Sequence, residues 1–171
     1  MRYFVIMKTI ELTLNNDDIC YLKADKVDNL PFEHLNNELK KSVVKLYPEF
    51  FTWFKEKAKG RDCYGIYCYD EEIGYVLAGY LIYKCLKTDH YGMDPNFETM
   101  KICSVYVCDK FRNRGVGTLL INYFLFTNNP IQCYVTVKKH MKRLNEYWHD
   151  KIEFELLAEK NKTDEYVYGR R

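Results

Sequence analysis

Apolar and polar residues alternate over residues 4–14, FVIMKTIELTL, and again over 19–25, ICYLKAD, and this period of two predicts two strands. The pattern then changes. Asp28 and Asn29 are capping residue types ahead of a helix over about 30–46, and Pro31 suits its first turn. Pro48 opens a second helix, PEFFTWFKEKAKG, which gathers Phe50, Phe51, Trp53 and Phe54 on one side and which Gly60 ends. Then CYGIYCYD (63–70), a turn at EEIG, and YVLAGYLIYKCL (75–86) read as a hairpin. A polar loop, KTDHYGMDPN, leads to a strand over 97–109, FETMKICSVYVCD. The helix GTLLINYFLF follows and stops at TNNP, because Pro130 disfavours helical geometry in the residue before it. IQCYVTV (131–137) is a strand with Ile131, Cys133, Val135 and Val137 on one face. A helix over about 140–150 and two strands, EFELLAE and DEYVYGR, joined by a polar turn at KNKT, complete the pattern. Three consecutive strands in the middle of this order predict a mixed sheet rather than a fully parallel one.

Composition narrows the reading only in part. The 171 residues show no repeat, linker or compositional break, so a single domain over 1–171 is expected. Lys and Arg exceed Asp and Glu by only two, 26 against 24. A protein held to nucleic acid mainly by phosphate contacts would show a stronger basic excess. The seven cysteines (Cys20, Cys63, Cys68, Cys85, Cys103, Cys108 and Cys133) form no C-x-x-C pair, and most sit in apolar, strand-like runs. That spacing suits neither a zinc site nor a disulfide framework, and the expectation is reduced, mostly buried thiols in a cytoplasmic protein. No stretch reaches the roughly 18 apolar residues that cross a membrane, so no membrane partner is expected.

Candidate chemistry centres on FRNRGVGTLL, residues 111–120, which joins strand to helix. The first amides of a helix lack intrahelical partners, and the helix dipole adds positive charge there. Gly115 and Gly117 let an anion approach the backbone closely, and Arg112 and Arg114 bring cationic charge. The dinucleotide fingerprint needs a third glycine, and a P-loop needs a Gly-Lys-Ser/Thr ending; both are absent. What stands here is R-x-x-G-x-G at Arg112, Gly115 and Gly117.

With VYV at 105–107 before it and GTLLINYF after it, this motif resembles the pyrophosphate-binding motif of the GCN5-related N-acetyltransferases, the GNAT superfamily. The order of elements from about residue 19 onward is similar to that family as well. The resemblance implies a three-layer α+β fold: a mixed, mainly antiparallel central sheet, helices on both faces, and central parallel strands that splay apart. It implies acetyl-CoA, or another acyl-CoA, as donor cosubstrate; no metal is expected beside it. Carried over by position, Val105, Tyr106 and Val107 form the strand that contacts the pantetheine arm and thioester. Asn113, Arg114, Gly115, Val116, Gly117 and Thr118 cradle the pyrophosphate, with Arg112 opening the motif. The pantetheine would insert between the parted strands in the manner of strand addition.

The last third departs from the family pattern. Many members carry Asn-x-x-A…Y-x-x-x-G-F, whose tyrosine can protonate the leaving thiolate. Here the segment is HMKRLNEYWHDKIEFELL. If Phe154 matches the family phenylalanine, Glu153 replaces the glycine and His149 falls where tyrosine is common; Tyr147 lies two residues earlier. Asn145 is too close to His149 for the usual asparagine spacing, and His140 is the other occupant of that region.

Acetyl transfer to an amine requires deprotonation of the acceptor, stabilisation of the thioester oxyanion, and departure of the thiolate. A backbone N–H near Val107 can serve the oxyanion. His149 is the first choice of general acid, because imidazole titrates near neutral pH, against the plainer reading of a solvent-facing helix histidine. Tyr147 is second, against simple packing. Glu98 can act as base through water, against a solvated residue at a loop end. Glu71 and Glu72 read as turn charges, and Cys103 and Cys108 as packing residues without an adjacent base. VKKHMKR (137–143) can meet the 3′-phosphate of CoA or be a solvated helix start. The activity implied is N-acetylation of a primary amine on a small molecule, peptide or protein. The alternative is a non-catalytic CoA-binding or protein-interaction module. Among nucleic acids only an aminoacyl-tRNA acceptor, as in toxin-like members, stays open, and so does a homodimer.

Overall fold

The computed structural model describes residues 9–32 and 35–171. Residues 4–8 of the first predicted strand lie outside the described residues; the rest forms β1 (Thr9–Thr13), antiparallel to β2 (Ile19–Lys26). Helix α1 (Asn36–Leu46) starts later than the capping residues suggest. Asp28 and Asn29 belong instead to a 3-10 turn, Val27–Asn29, and their side chains serve other partners. Asp28 Oδ1 accepts the Gly60 N–H at 3.2 Å, and Asn29 Nδ2 donates to Asp25 Oδ1 at 2.8 Å. Leu30 is extended at φ −72°, ψ 132°, as a residue before proline prefers, so no helix runs into Pro31. Helix α2 (Phe50–Glu56) follows, with its aromatic rings in mutual contact.

Next come β3 (Asp62–Asp70), β4 (Gly74–Leu86), β5 (Thr99–Val107), α3 (Val116–Asn128) and β6 (Gln132–Lys138). Helix α4 (Lys142–Glu146) is shorter than expected, and a π-helical turn, Tyr147–Lys151, completes that stretch before β7 (Glu155–Lys160) and β8 (Glu165–Arg170). Ile131 lies ahead of β6 and is exposed; Cys133, Val135 and Val137 are buried on one face of that strand, and Gln132 and Tyr134 are buried on the other. The eight strands follow the order β1-β2-β3-β4-β5-β6-β8-β7. Pairs β1/β2, β2/β3, β3/β4, β6/β8 and β7/β8 are antiparallel and β5/β6 is parallel. The result is the mixed sheet that the strand order predicts, in the mainly antiparallel α+β form that the resemblance implies. The parallel ladder runs from Thr99↔Gln132 to Ile102↔Val135, and β5 continues beyond it to Val107.

The chain divides into two compact units: residues up to Ile82 with Ser104–Tyr123, and Tyr83–Cys103 with Phe124–Arg171. In the first, Leu22, Ile66, Leu77, Tyr80 and Leu81 are fully buried. Neighbouring strand residues point to opposite faces, which sets the layers. Tyr64 packs on Tyr123 of α3 with ring centroids 5.3 Å apart, while a Cβ on Gly65 would stand 3.0 Å from Leu30 on the other face. Likewise Val107 faces Gly117 of α3, and Tyr106 bonds Glu38 of α1. Helices α1 and α3 thus cover opposite faces. Strands β4 and β5 approach closely at Gly79, where a Cβ would stand 2.7 Å from the Tyr106 carbonyl oxygen.

In the second unit Cys133, Val137 and Val167 are buried. Gln132, 3 % exposed, holds the segment before β5: its Oε1 accepts the Asp94 N–H at 2.9 Å, and its Nε2 donates to Asp94 O and Thr99 Oγ1, both at 2.8 Å. Lys138 and Lys139 of the basic run are neutralised within the unit, Lys138 by Glu165 and Lys139 by Glu159.

Candidate functional site

Strand β5 ends at Val107, and a 3-10 turn, Asp109–Phe111, leads into the glycine stretch. Phe111 is buried and anchors that turn. Asn113 and Gly115 both adopt left-handed backbone, φ +61° and +85°, and the chain turns sharply before α3. The Leu119 N–H bonds the Gly115 carbonyl at 2.9 Å, so the amides of Val116 and Gly117 come ahead of the helical ladder. A Cβ on Gly117 would meet only Val107 Cγ2, at 3.5 Å. The fold itself therefore does not demand glycine there. Open backbone, unladdered amides and a helix dipole fit the phosphates of a CoA-type ligand.

The two arginines of the motif do different work. Arg112 Nε donates to the Val107 carbonyl at 2.9 Å, its guanidinium pairs with Asp109 and lies 5.5 Å over the Tyr106 ring. It braces the end of β5. Arg114 lies over Phe111 and 3.9 Å from the Asp18 carboxylate, and its carbonyl accepts the Asn15 N–H at 3.4 Å. The β1–β2 turn thus flanks the glycine stretch, a neighbour that no local pattern in the chain marks.

The structure brings Val105, Tyr106, Val107 and residues 112–118 together in the first unit, and it places Glu98, Tyr147 and His149 in the second. Glu98 is exposed and precedes β5 by one residue, outside the strand that the sequence reading assigned to it. His149 is exposed in the π-helical turn, with Nδ1 2.7 Å from Asp150 Oδ1. Tyr147 is half-buried beneath the Lys151 ammonium, 6.0 Å from its ring. Trp148 between them is buried and stacks on Phe154 at 5.5 Å. Glu153 adopts φ +62°, the left-handed backbone that glycine favours. Asn145 is buried and donates to the carbonyls of Lys138 and Met141 at 3.0 and 2.8 Å, fastening α4 to the end of β6.

A second set of polar residues lies against β5 and was not found from sequence. Glu38 of α1 accepts the Tyr106 hydroxyl at 2.5 Å and the Asp109 N–H at 2.7 Å, both on Oε1. Tyr80 stacks on Tyr106 at 6.1 Å and accepts a bond from Ser104 Oγ at 3.3 Å. Burial pushes the Tyr80 phenol up, away from easy ionisation. Burial first, and then the Glu38 charge, push the Cys108 thiol up to about 12, which supports its reading as a packing residue. Among the described residues no cluster of three or more His, Cys, Asp or Glu side chains could hold a metal ion, and no helix is long and apolar enough to cross a membrane.

The sequence profile of the Acetyltransferase (GNAT) family matches residues 30–159. The chain belongs to this family. A comparison with curated protein sequences returns no match. Among solved structures, this GNAT chain is similar to a GNAT-family acetyltransferase from Listeria monocytogenes, with TM-score 0.66, 15% identity, and coverage of 94% of this chain and 99% of that one. It is similar to NAA60 of Arabidopsis thaliana in complex with a bisubstrate analogue, with TM-score 0.63, 14% identity, and coverage of 87% and 98%. The N-acetyltransferase YlbP of Bacillus subtilis in complex with coenzyme A gives TM-score 0.54, 18% identity, and coverage of 86% and 95%. At these identities the likeness is one of fold. The GNAT fold accounts for the glycine turn between β5 and α3 and for the short parallel ladder of β5 with β6.

Proposed function

We propose that this GNAT chain is an N-acetyltransferase that moves an acetyl group from acetyl-CoA to a primary amine by direct attack in a ternary complex. The observation that carries the reading is Gly117: it lies in the first turn of α3, and among the described residues a Cβ there would meet only Val107 Cγ2, at 3.5 Å. The complexes of the similar proteins with coenzyme A and with a bisubstrate analogue support the donor and the two-substrate arrangement. Acetyl-CoA supplies an activated thioester. The amides of Val116, Gly117 and Thr118 bind the pyrophosphate, and Arg114 adds charge. Val105 and Val107 offer backbone groups to the pantetheine arm, and an N–H near Val107 polarises the thioester oxygen. His149 is the general acid in this reading, with Tyr147 second, and Glu98 takes the amine proton through water.

Gly117→Glu tests the donor site. A carboxylate at a helix start is compatible with the helix dipole, so the fold is kept, while a bound pyrophosphate is repelled. Acetyl-CoA binding by titration calorimetry is expected to vanish; wild-type affinity in the variant would refute the assignment. The exposure of His149 beside Asp150 favours a second reading, a module that holds CoA without turnover. Thiol release from acetyl-CoA with a panel of peptides, polyamines, aminoglycosides and charged tRNA separates the two. Binding without release against every amine would favour the module.

A further inference from the structure

We propose that Glu38 is a positioning residue for the donor strand: through the Tyr106 hydroxyl and the Asp109 amide it holds the segment from Tyr106 to Asp109 in the conformation that receives the pantetheine arm. The proposal rests on the reading of Val105–Val107 as that strand. Beyond Ile102 the strand has left its parallel ladder with β6 and keeps β4 as its one sheet neighbour, so contacts from outside the sheet help to set its conformation. Three anchors hold the segment. One oxygen of Glu38 takes both Tyr106 Oη–H and Asp109 N–H, at 2.5 and 2.7 Å, and so pins the segment at each end. The Cys108 N–H bonds the Ala78 carbonyl at 2.8 Å. Arg112 takes the Val107 carbonyl, pairs with Asp109 and covers the Tyr106 ring. Of these anchors, Glu38 alone ties the segment to helix α1. Residue 38 lies 68 and 71 residues from its two partners, so no local sequence pattern marks it.

The test compares two ligands by titration calorimetry: acetyl-CoA, and 3′-phospho-ADP, which lacks the pantetheine arm. In Glu38→Ala the acetyl-CoA Kd is expected to rise about tenfold, or about 1.4 kcal/mol, while the 3′-phospho-ADP Kd stays as in wild type. Glu38→Gln keeps an acceptor oxygen and is expected to stay within about twofold of wild type for both ligands. Tyr106→Phe, which removes one of the two bonds, is expected to fall between them. Acetyl-CoA binding unchanged in Glu38→Ala overturns the proposal. Equal weakening of both ligands overturns it too, because a general loss of structure would act on both. Wild type that binds neither ligand refutes the donor-site reading itself, and the proposal with it.

Discussion

Glu153 occupies a position whose backbone favours glycine, and Glu153→Gly is expected to stabilise the protein. Its φ of +62° places the Cβ of an L-residue against its own backbone. That conformation costs about 1–2 kcal/mol relative to glycine. Glycine in turn loses more freedom on folding, which returns about 0.5–1 kcal/mol. The Glu153 side chain is exposed, so its removal gives up little burial. The bonds around it are made by backbone, Ile152 N–H to Tyr147 O and Phe154 N–H to Trp148 O, both 3.0 Å, and survive the substitution. The net gain is about 0.5–1 kcal/mol. At about 2–4 °C per kcal/mol for a chain of this size, the thermal midpoint rises by about 1–4 °C. Differential scanning calorimetry on wild type, Glu153→Gly and Glu153→Ala provides the measurement. The alanine variant keeps the left-handed requirement and is expected near wild type. A midpoint that falls in Glu153→Gly, or that moves equally in both variants, would refute the reasoning.

Gly79→Ala places a methyl 2.7 Å from the Tyr106 carbonyl, so β4 and β5 must part. It is expected to cost about 1–3 kcal/mol by thermal melt, whereas Gly117→Ala, with only a 3.5 Å contact, melts near wild type. Burial pushes the Cys63 and Cys108 thiols up to about 12 and the Cys133 thiol up to about 11. At pH 8 iodoacetamide is therefore expected to label exposed Cys85 well before these three, as read by peptide mass spectrometry, and prompt labelling of the three in folded protein would contradict their burial.

Periodicity served best where neighbours along the chain decide the outcome. Asp62–Asp70 and Gln132–Lys138 form strands within a residue of the predicted runs, because short apolar stretches rich in β-branched and aromatic residues and bounded by turn signals carry their own local signal. The glycine stretch was legible too, since its turn and its helix start are local. Reading failed where a distant residue claimed a local signal. Asp28 has the chemistry of a helix cap but spends it on Gly60. Arg112 is the cation that opens the motif, yet it is engaged by Val107, Asp109 and Tyr106. Glu38 resembles any other charge on a polar helix until tertiary structure sets it against Tyr106. The π-helical turn at Tyr147–Lys151, where Trp148 stacks on Phe154, could not be read from spacing, because a single wider turn leaves no period of its own.

The position of β8 between β6 and β7 also has a consequence for synthesis. On the ribosome, β6 and β7 emerge before the strand that separates them. Until Glu165–Arg170 has emerged as well, a strand that precedes it shows a bare row of amides and carbonyls to its surroundings. The nascent chain therefore passes through an interval in which an edge seeks a partner that has not yet emerged, and chaperones or neighbouring nascent chains compete for it. Val167 and Gly169, which pair Ala158 and Glu155 on one side and Thr136 and Tyr134 on the other, end that interval.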